Sequence, residues 1–203
     1  MKKIILVMFG ACYALHIMAQ NTSASEFGKN IITVSPIQLV ESDLFYNSNN
    51  DVCINLAYEH IFLREYVGIK LPVSVSLKNQ FFYFMPTLKL YPAKQGVVRY
   101  AVGPQFFFGT GKIKYAYYNY NNYPYPETIF SERRTQFGFM INNSVNFTVT
   151  KNMYLDMDLG IGINYYDNWK DNDEYVNNGF YIHGGDTPFD PAVQFNFSMG
   201  YRF

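Results

Sequence analysis

Residues 192–203 read AVQFNFSMGYRF, and apolar and non-apolar side chains alternate along this stretch without a break. The second face of the stretch holds small or polar residues, among them Arg202. A period of two over this length predicts a β-strand with two chemically different faces. The apolar face carries Val193, Phe195, Phe197, Met199, Tyr201 and Phe203.

The same period recurs through the rest of the chain. It is strict in residues 66–77 and 153–166 and looser elsewhere, and Pro36 in the weakest segment indicates a bulge because proline lacks a backbone donor. Eight strands in total are expected, and the chain is therefore predicted to be all-β. The segments are residues 30–40, 52–61, 66–77, 81–91, 97–109, 135–149, 153–166 and 192–203.

Composition separates two all-β architectures, a soluble sandwich and a membrane barrel. Charged residues make up only 16% of the chain, whereas a soluble domain has about 25%. Aromatic residues reach 19%, yet a mean hydropathy of −0.12 is too polar for a bundle of membrane helices. The non-apolar faces are rich in Gly, Ser, Asn and Gln, and aromatic residues lie near strand ends. This pattern favours an eight-stranded antiparallel up-and-down transmembrane β-barrel over the alternative, a soluble β-sandwich.

Residues 1–19 have the features of a secretory signal peptide: Lys2 and Lys3, an apolar run, and small residues before Gln20. The competing interpretation is a lipoprotein signal that is cut before Cys12. Under the first interpretation, residues 20–203 form one barrel domain. The equal numbers of acidic and basic residues give no reason to expect nucleic-acid binding.

Loop lengths predict the orientation of the barrel. The connections 62–65, 92–96 and 150–152 are short, whereas 110–134 and 167–191 are long, and the short 78–80 is an exception. Short turns face the periplasm in such barrels. Both termini are therefore expected in the periplasm, with the barrel in the outer membrane of a Gram-negative bacterium.

The signal peptide, the amphipathic strands and the terminal Tyr201-Arg202-Phe203 together resemble the small outer-membrane β-barrel proteins of the OmpX, OmpW and OmpA membrane-domain type. The resemblance covers nearly the whole of residues 20–203 and is architectural. It implies that Tyr201 and Phe203 serve as the signal for the outer-membrane insertion machinery. It also implies outer-membrane lipid and lipopolysaccharide as surroundings, while an extracellular partner stays open.

Charged residues on the inward faces lie within about six residues of the nearest short turn, so they are expected to share one layer of the lumen. Mutual pairing into a closed polar plug is the favoured interpretation, and a gate or ion path is the alternative. The outer half of the lumen carries small residues that leave room for a shallow pocket, or bulky ones such as Tyr83 and Phe107 that fill it. The predicted lumen charges are Glu59, Lys70, Lys89, Arg99, Asp156, Asp158 and Arg202.

The long connection 110–134 is rich in tyrosine, which offers amphipathic contact area for a surface-binding loop. The alternative is an extension of the strands. Its tyrosines are Tyr115, Tyr117, Tyr118, Tyr120, Tyr123 and Tyr125.

Enzymatic signals are poor. After residue 19 only His60 and His183 remain, and no nucleophile-elbow motif is present. No catalytic residue, cofactor or metal site is therefore expected. The leading hypothesis is a non-enzymatic protein with a structural or surface-interaction role through its long loops. The alternatives are a narrow channel or carrier for small molecules and, less favoured, a lipid-modifying enzyme.

Overall fold

The computed structural model describes residues 28–41, 51–62, 66–93, 97–118, 127–168 and 190–203. Nine strands lie in these ranges and form one antiparallel sheet. They are β1 (Asn30–Glu41), β2 (Asp51–Phe62), β3 (Val67–Ser76), β4 (Gln80–Phe84), β5 (Thr87–Leu90), β6 (Val98–Tyr118), β7 (Glu127–Thr148), β8 (Met153–Asp167) and β9 (Asp190–Arg202).

The sheet closes on itself. Strands that follow one another in sequence pair, apart from β4 and β5, and β9 pairs with β1 to complete the ring. The segments β4 and β5 both lie between β3 and β6, so they are two halves of one barrel strand. The described strands thus build an eight-stranded barrel, as predicted, and the sandwich alternative is wrong because the ring leaves no second sheet.

Proline positions account for two irregularities in the wall. Pro86 separates β4 from β5, because its nitrogen cannot donate to the ladder, and its carbonyl accepts from the Phe106 amide at 3.0 Å. In β1 the register shifts around Pro36, where the sequence predicts a bulge. The Ser35 hydroxyl stabilises that bulge, since its oxygen lies 2.8 Å from the Ile37 carbonyl.

Burial is inverted relative to a soluble protein. In β2, Glu59 is 1% exposed, whereas Leu56 on the opposite face is 57% exposed. The other strands alternate in the same way: large apolar side chains cover the outer face, and the inner face holds mostly polar side chains with a minority of apolar ones such as Phe81 and Phe107. Asn143 interrupts the apolar outer face, and the Tyr100 hydroxyl donates to its side-chain oxygen at 2.6 Å. The barrel therefore presents an apolar band outward and encloses a largely polar interior.

The two ends of the barrel differ. At the short-turn end, Asn30 and Phe203 exchange backbone hydrogen bonds of 2.9 and 2.8 Å. At the opposite end, called here the long-hairpin end, β6 and β7 pair continuously from Val98↔Phe147 to Tyr118↔Glu127. These strands have 21 and 22 residues, about twice the 9–11 residues that span a bilayer. No described helix has the length and apolarity needed to cross a membrane.

Candidate functional site in the barrel interior

Five of the predicted lumen charges form one ion-pair network, called here the lumen charge cluster. Its members are Glu59, Lys70, Lys89, Asp156 and Asp158, and none is more than 3% exposed. The Lys70 ammonium contacts Asp156 and lies 2.5 Å from an Asp158 carboxylate oxygen. The Lys89 ammonium lies 3.0 Å from Asp156 and 3.3 Å from both Glu59 and Asp158. Each lysine therefore neutralises more than one buried carboxylate.

The cluster links opposite walls of the barrel. Glu59 is the register partner of Lys70 on the adjacent strand β3. Lys70 nevertheless forms its ion pairs with Asp156 and Asp158 on β8, which lies four barrel strands away from β3 in either direction around the ring. The Tyr91 hydroxyl also donates a hydrogen bond to the Glu59 carboxylate. Side chains from opposite walls therefore meet in the lumen at this level.

Arg99 and Arg202, the other two predicted lumen charges, lie beside the cluster, and their described contacts are of another kind than the expected pairing with carboxylates. The Arg99 guanidinium lies over the Tyr91 ring, 4.7 Å from its centroid. Its three nitrogens are buried and have no hydrogen-bond partner among the described residues. Arg202 donates from Nε to the Gly28 carbonyl at 2.7 Å and from Nη1 to the Thr148 hydroxyl at 3.3 Å. The contacts described for the two arginines are thus with aromatic, backbone and hydroxyl groups.

Amide and hydroxyl groups fill another part of the lumen. The Asn55 side-chain nitrogen donates to Gln38 at 2.8 Å and to the Ser74 hydroxyl at 3.0 Å. Elsewhere in the lumen, Gln105 donates to Gln194. These five side chains are all buried. Hydrogen bonds among them satisfy polar groups that would otherwise be costly to bury.

Bulky apolar side chains occupy the outer half of the lumen. Phe81, Tyr83, Met85, Phe107 and Met140 are all buried and belong to one apolar cluster. The ring centroids of Phe81 and Tyr83 are 4.9 Å apart, and those of Tyr83 and Phe107 are 5.9 Å apart. Of the two alternatives for this half, the structure has the one in which bulky side chains fill the lumen.

An ion pair that sequence reasoning missed lies near the long-hairpin end. Arg134 donates from Nε to both carboxylate oxygens of Asp167, at 3.0 and 2.9 Å. Gln136 donates to the same carboxylate at 2.7 Å. Both Arg134 and Asp167 fall in segments that the sequence analysis assigned to loops. Arg134 precedes the inward-facing Gln136 by two residues, and residues two apart on a strand share a face. Extending the alternation of that strand by one residue would have placed Arg134 in the lumen.

The tyrosine-rich segment is in large part strand rather than loop. Tyr115, Tyr117 and Tyr118 belong to β6, where they pair with β7. This corrects the surface-loop prediction for these three and matches its alternative, a strand extension. Aromatic and β-branched residues favour strands, which accounts for the extension. The remaining tyrosines, Tyr120, Tyr123 and Tyr125, lie outside the described residues.

The proposed assembly signal lies on the outer surface at the short-turn end. Tyr201 and Phe203 are 56% and 49% exposed, and their rings stack with centroids 6.1 Å apart. Both side chains are thus accessible from outside the barrel. Within the described ranges no group of three or more His, Cys, Asp or Glu side chains could hold a metal ion.

No protein-family profile and no curated protein matches the chain in sequence, but solved structures match its fold. The chain is similar to Ail, the attachment invasion locus protein of Yersinia pestis, with a TM-score of 0.52 and 14% identity over 87% of this chain and 99% of that chain. Neisserial surface protein A, NspA, gives a TM-score of 0.49 and 11% identity over 87% of this chain and 96% of that chain. OprG from Pseudomonas aeruginosa gives a TM-score of 0.46 and 10% identity over 87% of this chain and 97% of that chain. The likeness to Ail and the closed sheet together confirm the expected architecture: the chain has the eight-stranded antiparallel barrel fold of the small outer-membrane proteins.

Proposed function

We propose that this chain is a non-enzymatic outer-membrane β-barrel of a Gram-negative bacterium with a structural or surface-interaction role. In this proposal both termini are periplasmic, and the barrel presents the β6–β7 hairpin and residues 169–189 to the outside. The exposed apolar band supports the membrane location, because soluble proteins rarely expose so large a continuous apolar surface to water.

The lumen charge cluster is the main observation that favours a structural role over a channel. Eight strands leave an interior that side chains can just fill. Lys89 and Asp156 reach the centre of the lumen and show no exposed surface, and Met140 in the outer half shows none either. A water-filled path along the barrel would leave these side chains accessible.

Conductance in planar bilayers tests the closed lumen. We expect no steady conductance from the unmutated protein. A double variant, Lys70→Ala with Lys89→Ala, should admit ions, because it removes the side chains that cross the lumen. Steady conductance of the unmutated protein at the same level as the variant would contradict the structural role and favour the channel.

Topology in intact cells tests the orientation. Added protease should cut between residues 169 and 189 or between 119 and 126, since these segments follow the long-hairpin end. Tag insertion at Lys151 provides the matched control at the short-turn end, and antibody should reach that tag only after the outer membrane is opened. Surface labelling of the Lys151 tag in intact cells would reverse the orientation.

The non-enzymatic part of the proposal bears on His60, which is the one histidine among the described residues. His60 lies on the outer surface, where its Nδ1 is 2.8 Å from the Asn30 side-chain oxygen, and that oxygen also accepts a hydrogen bond from the Tyr58 hydroxyl at 2.8 Å. Incubation of the refolded protein with lipopolysaccharide and phospholipid should leave both unmodified by mass spectrometry. A deacylated product would contradict this part of the proposal.

A further inference from the structure

Three cations form an outward-facing group at the long-hairpin end, called here the cationic patch: Lys78, Lys112 and Arg133. Lys112 on β6 is the register partner of Arg133 on β7 and of Gln80 on β4. Lys78 lies in the turn between β3 and β4, and all three side chains are exposed. None forms an ion pair with any residue that the structure describes, so the patch carries uncompensated positive charge.

The arrangement of Lys112 and Arg133 is unfavourable for the barrel alone. Directly opposed residues on neighbouring strands share a face, and like charges in that position are destabilising. An anion between or beside the two side chains removes that repulsion. An anion that is not part of the described chain is therefore the partner that the patch favours.

A groove beside the patch has donors that suit a phosphate group. Its volume is about 290 Å³. Two ammonium groups, two side-chain amides and one hydroxyl line it, with one apolar side chain at its edge. The lining residues are Leu77, Lys78, Asn79, Gln80, Lys112 and Ser131.

The patch lies just beyond the lipid-facing band on the same outer faces. Phe108, which is 44% exposed, precedes Lys112 by four residues, and Phe137, which is 43% exposed, follows Arg133 by four. Four residues of strand span about 13 Å, and a strand tilt of about 40° reduces this to a height of roughly 10 Å. The polar head-group zone adds about 5–8 Å on each side of the hydrocarbon, so the backbone of Lys112 and Arg133 lies at the outer edge of that zone. Their long side chains can reach back from there to the head groups.

We propose that the cationic patch binds the phosphate groups of a membrane lipid, with lipid A as its occupant in the outer leaflet. This inference rests on the proposed function, because it needs the long-hairpin end to face outward. The charge complementarity supplies the attraction, and the continuity of the patch with the apolar band places the lipid's acyl chains against Phe108 and Phe137 while its phosphates meet Lys112 and Arg133.

Native mass spectrometry of the detergent-solubilised barrel, titrated with diphosphoryl lipid A, tests the site. The patch variant is Lys112→Gln with Arg133→Gln, and the control is Lys29→Gln with Lys151→Gln at the short-turn end, which removes the same charge. A surface cation contributes about fivefold to the binding of an anionic lipid, so the patch variant should bind lipid A about 25-fold more weakly. The control should bind it as the parent does.

Three outcomes would overturn the inference: no lipid A binding by the parent, an equal loss in patch and control variants, or equal binding of dephosphorylated lipid A. Heat-modifiable mobility of each variant verifies that it has folded. Failure of the proposed function is read separately, from the protease and tag experiments in cells. A reversed orientation there, with lipid A selectivity retained in detergent, would reject the proposed function and leave the phosphate chemistry of the patch standing.

Discussion

Replacing Lys89 by methionine should destabilise the barrel far more than replacing Asp156 by asparagine. The lumen charge cluster contains two lysines and three carboxylates, all buried. Lys89→Met deprives Glu59 of its recorded ion pair and leaves it only the Tyr91 hydroxyl. Breaking a buried pair by removing one partner costs about 3–5 kcal/mol, because the remaining charge is left uncompensated.

The asparagine variant leaves no charge without a contact. After Asp156→Asn, Lys70 keeps Asp158 at 2.5 Å, and Lys89 keeps Glu59 and Asp158 at 3.3 Å. The new amide oxygen can still accept a hydrogen bond from either lysine. The loss is then a change from charge-assisted to neutral hydrogen bonds, which costs about 1–2 kcal/mol.

Urea unfolding in lipid vesicles measures both changes as free energies of unfolding. A double variant, Lys89→Met with Glu59→Gln, completes the cycle, and adding the second change should recover part of the loss because it removes the stranded carboxylate. The opposite order, with Asp156→Asn the more costly change, would refute this reasoning. It would mean that Arg99 and Arg202 act on the cluster over a distance and that the total charge of the lumen, rather than its contacts, sets the stability.

Three further outcomes are expected. Deletion of Phe203 should lower the heat-modifiable fraction in the membrane, since it removes both the exposed terminal ring and the backbone bonds to β1; normal insertion would contradict the role of this residue. Gly103→Ala should lower the urea midpoint more than Gly160→Ala, because its Cβ would meet the Leu88 carbonyl oxygen at 1.8 Å, whereas the nearest atom at Gly160 belongs to a side chain at 2.9 Å. Arg99→Met should leave the midpoint unchanged or raise it, because it removes a buried charge that has no hydrogen-bond acceptor among the described residues; a large loss would show that stacking on tyrosine outweighs the burial of charge.

The fold could be read from the sequence because a period of two distinguishes lumen from lipid at every strand. The alternation in 192–203 and 153–166 assigns each side chain to a face, and the structure keeps those assignments except at Tyr166. A register shift between β7 and β8 turns Tyr166, which the alternation assigns to the lumen, to the outer face, where it is 42% exposed. The hairpin β6–β7 was the main error. Beyond the bilayer no lipid enforces the apolar face, so the alternation fades after Gly109 although the backbone ladder continues to Tyr118.

The sequence predicted which charged residues share a layer of the lumen, but not which of them form ion pairs with each other. Strand position placed Lys70, Asp156 and Asp158 at similar heights, which sufficed to expect pairing. Which cation reaches which anion depends on side-chain direction across the lumen, and periodicity carries no information on that. Arg99 therefore went to an aromatic ring instead of a carboxylate, and the pair of Arg134 with Asp167 was missed because both lay in presumed loops.

The pairing of β1 with β9 has a consequence for the order of assembly. The contact between Arg202 and Gly28 joins positions 174 residues apart, so ring closure depends on the most distant contacts in the chain and is expected to be slow. Until β9 arrives, the edges of β1 and β8 carry unpaired backbone groups, and each such group costs several kcal/mol in hydrocarbon. Such an open sheet is also a template for aggregation. The nascent barrel therefore needs its β1 edge shielded until synthesis has reached the final strand, and a factor that pairs transiently with that edge would shorten the vulnerable interval.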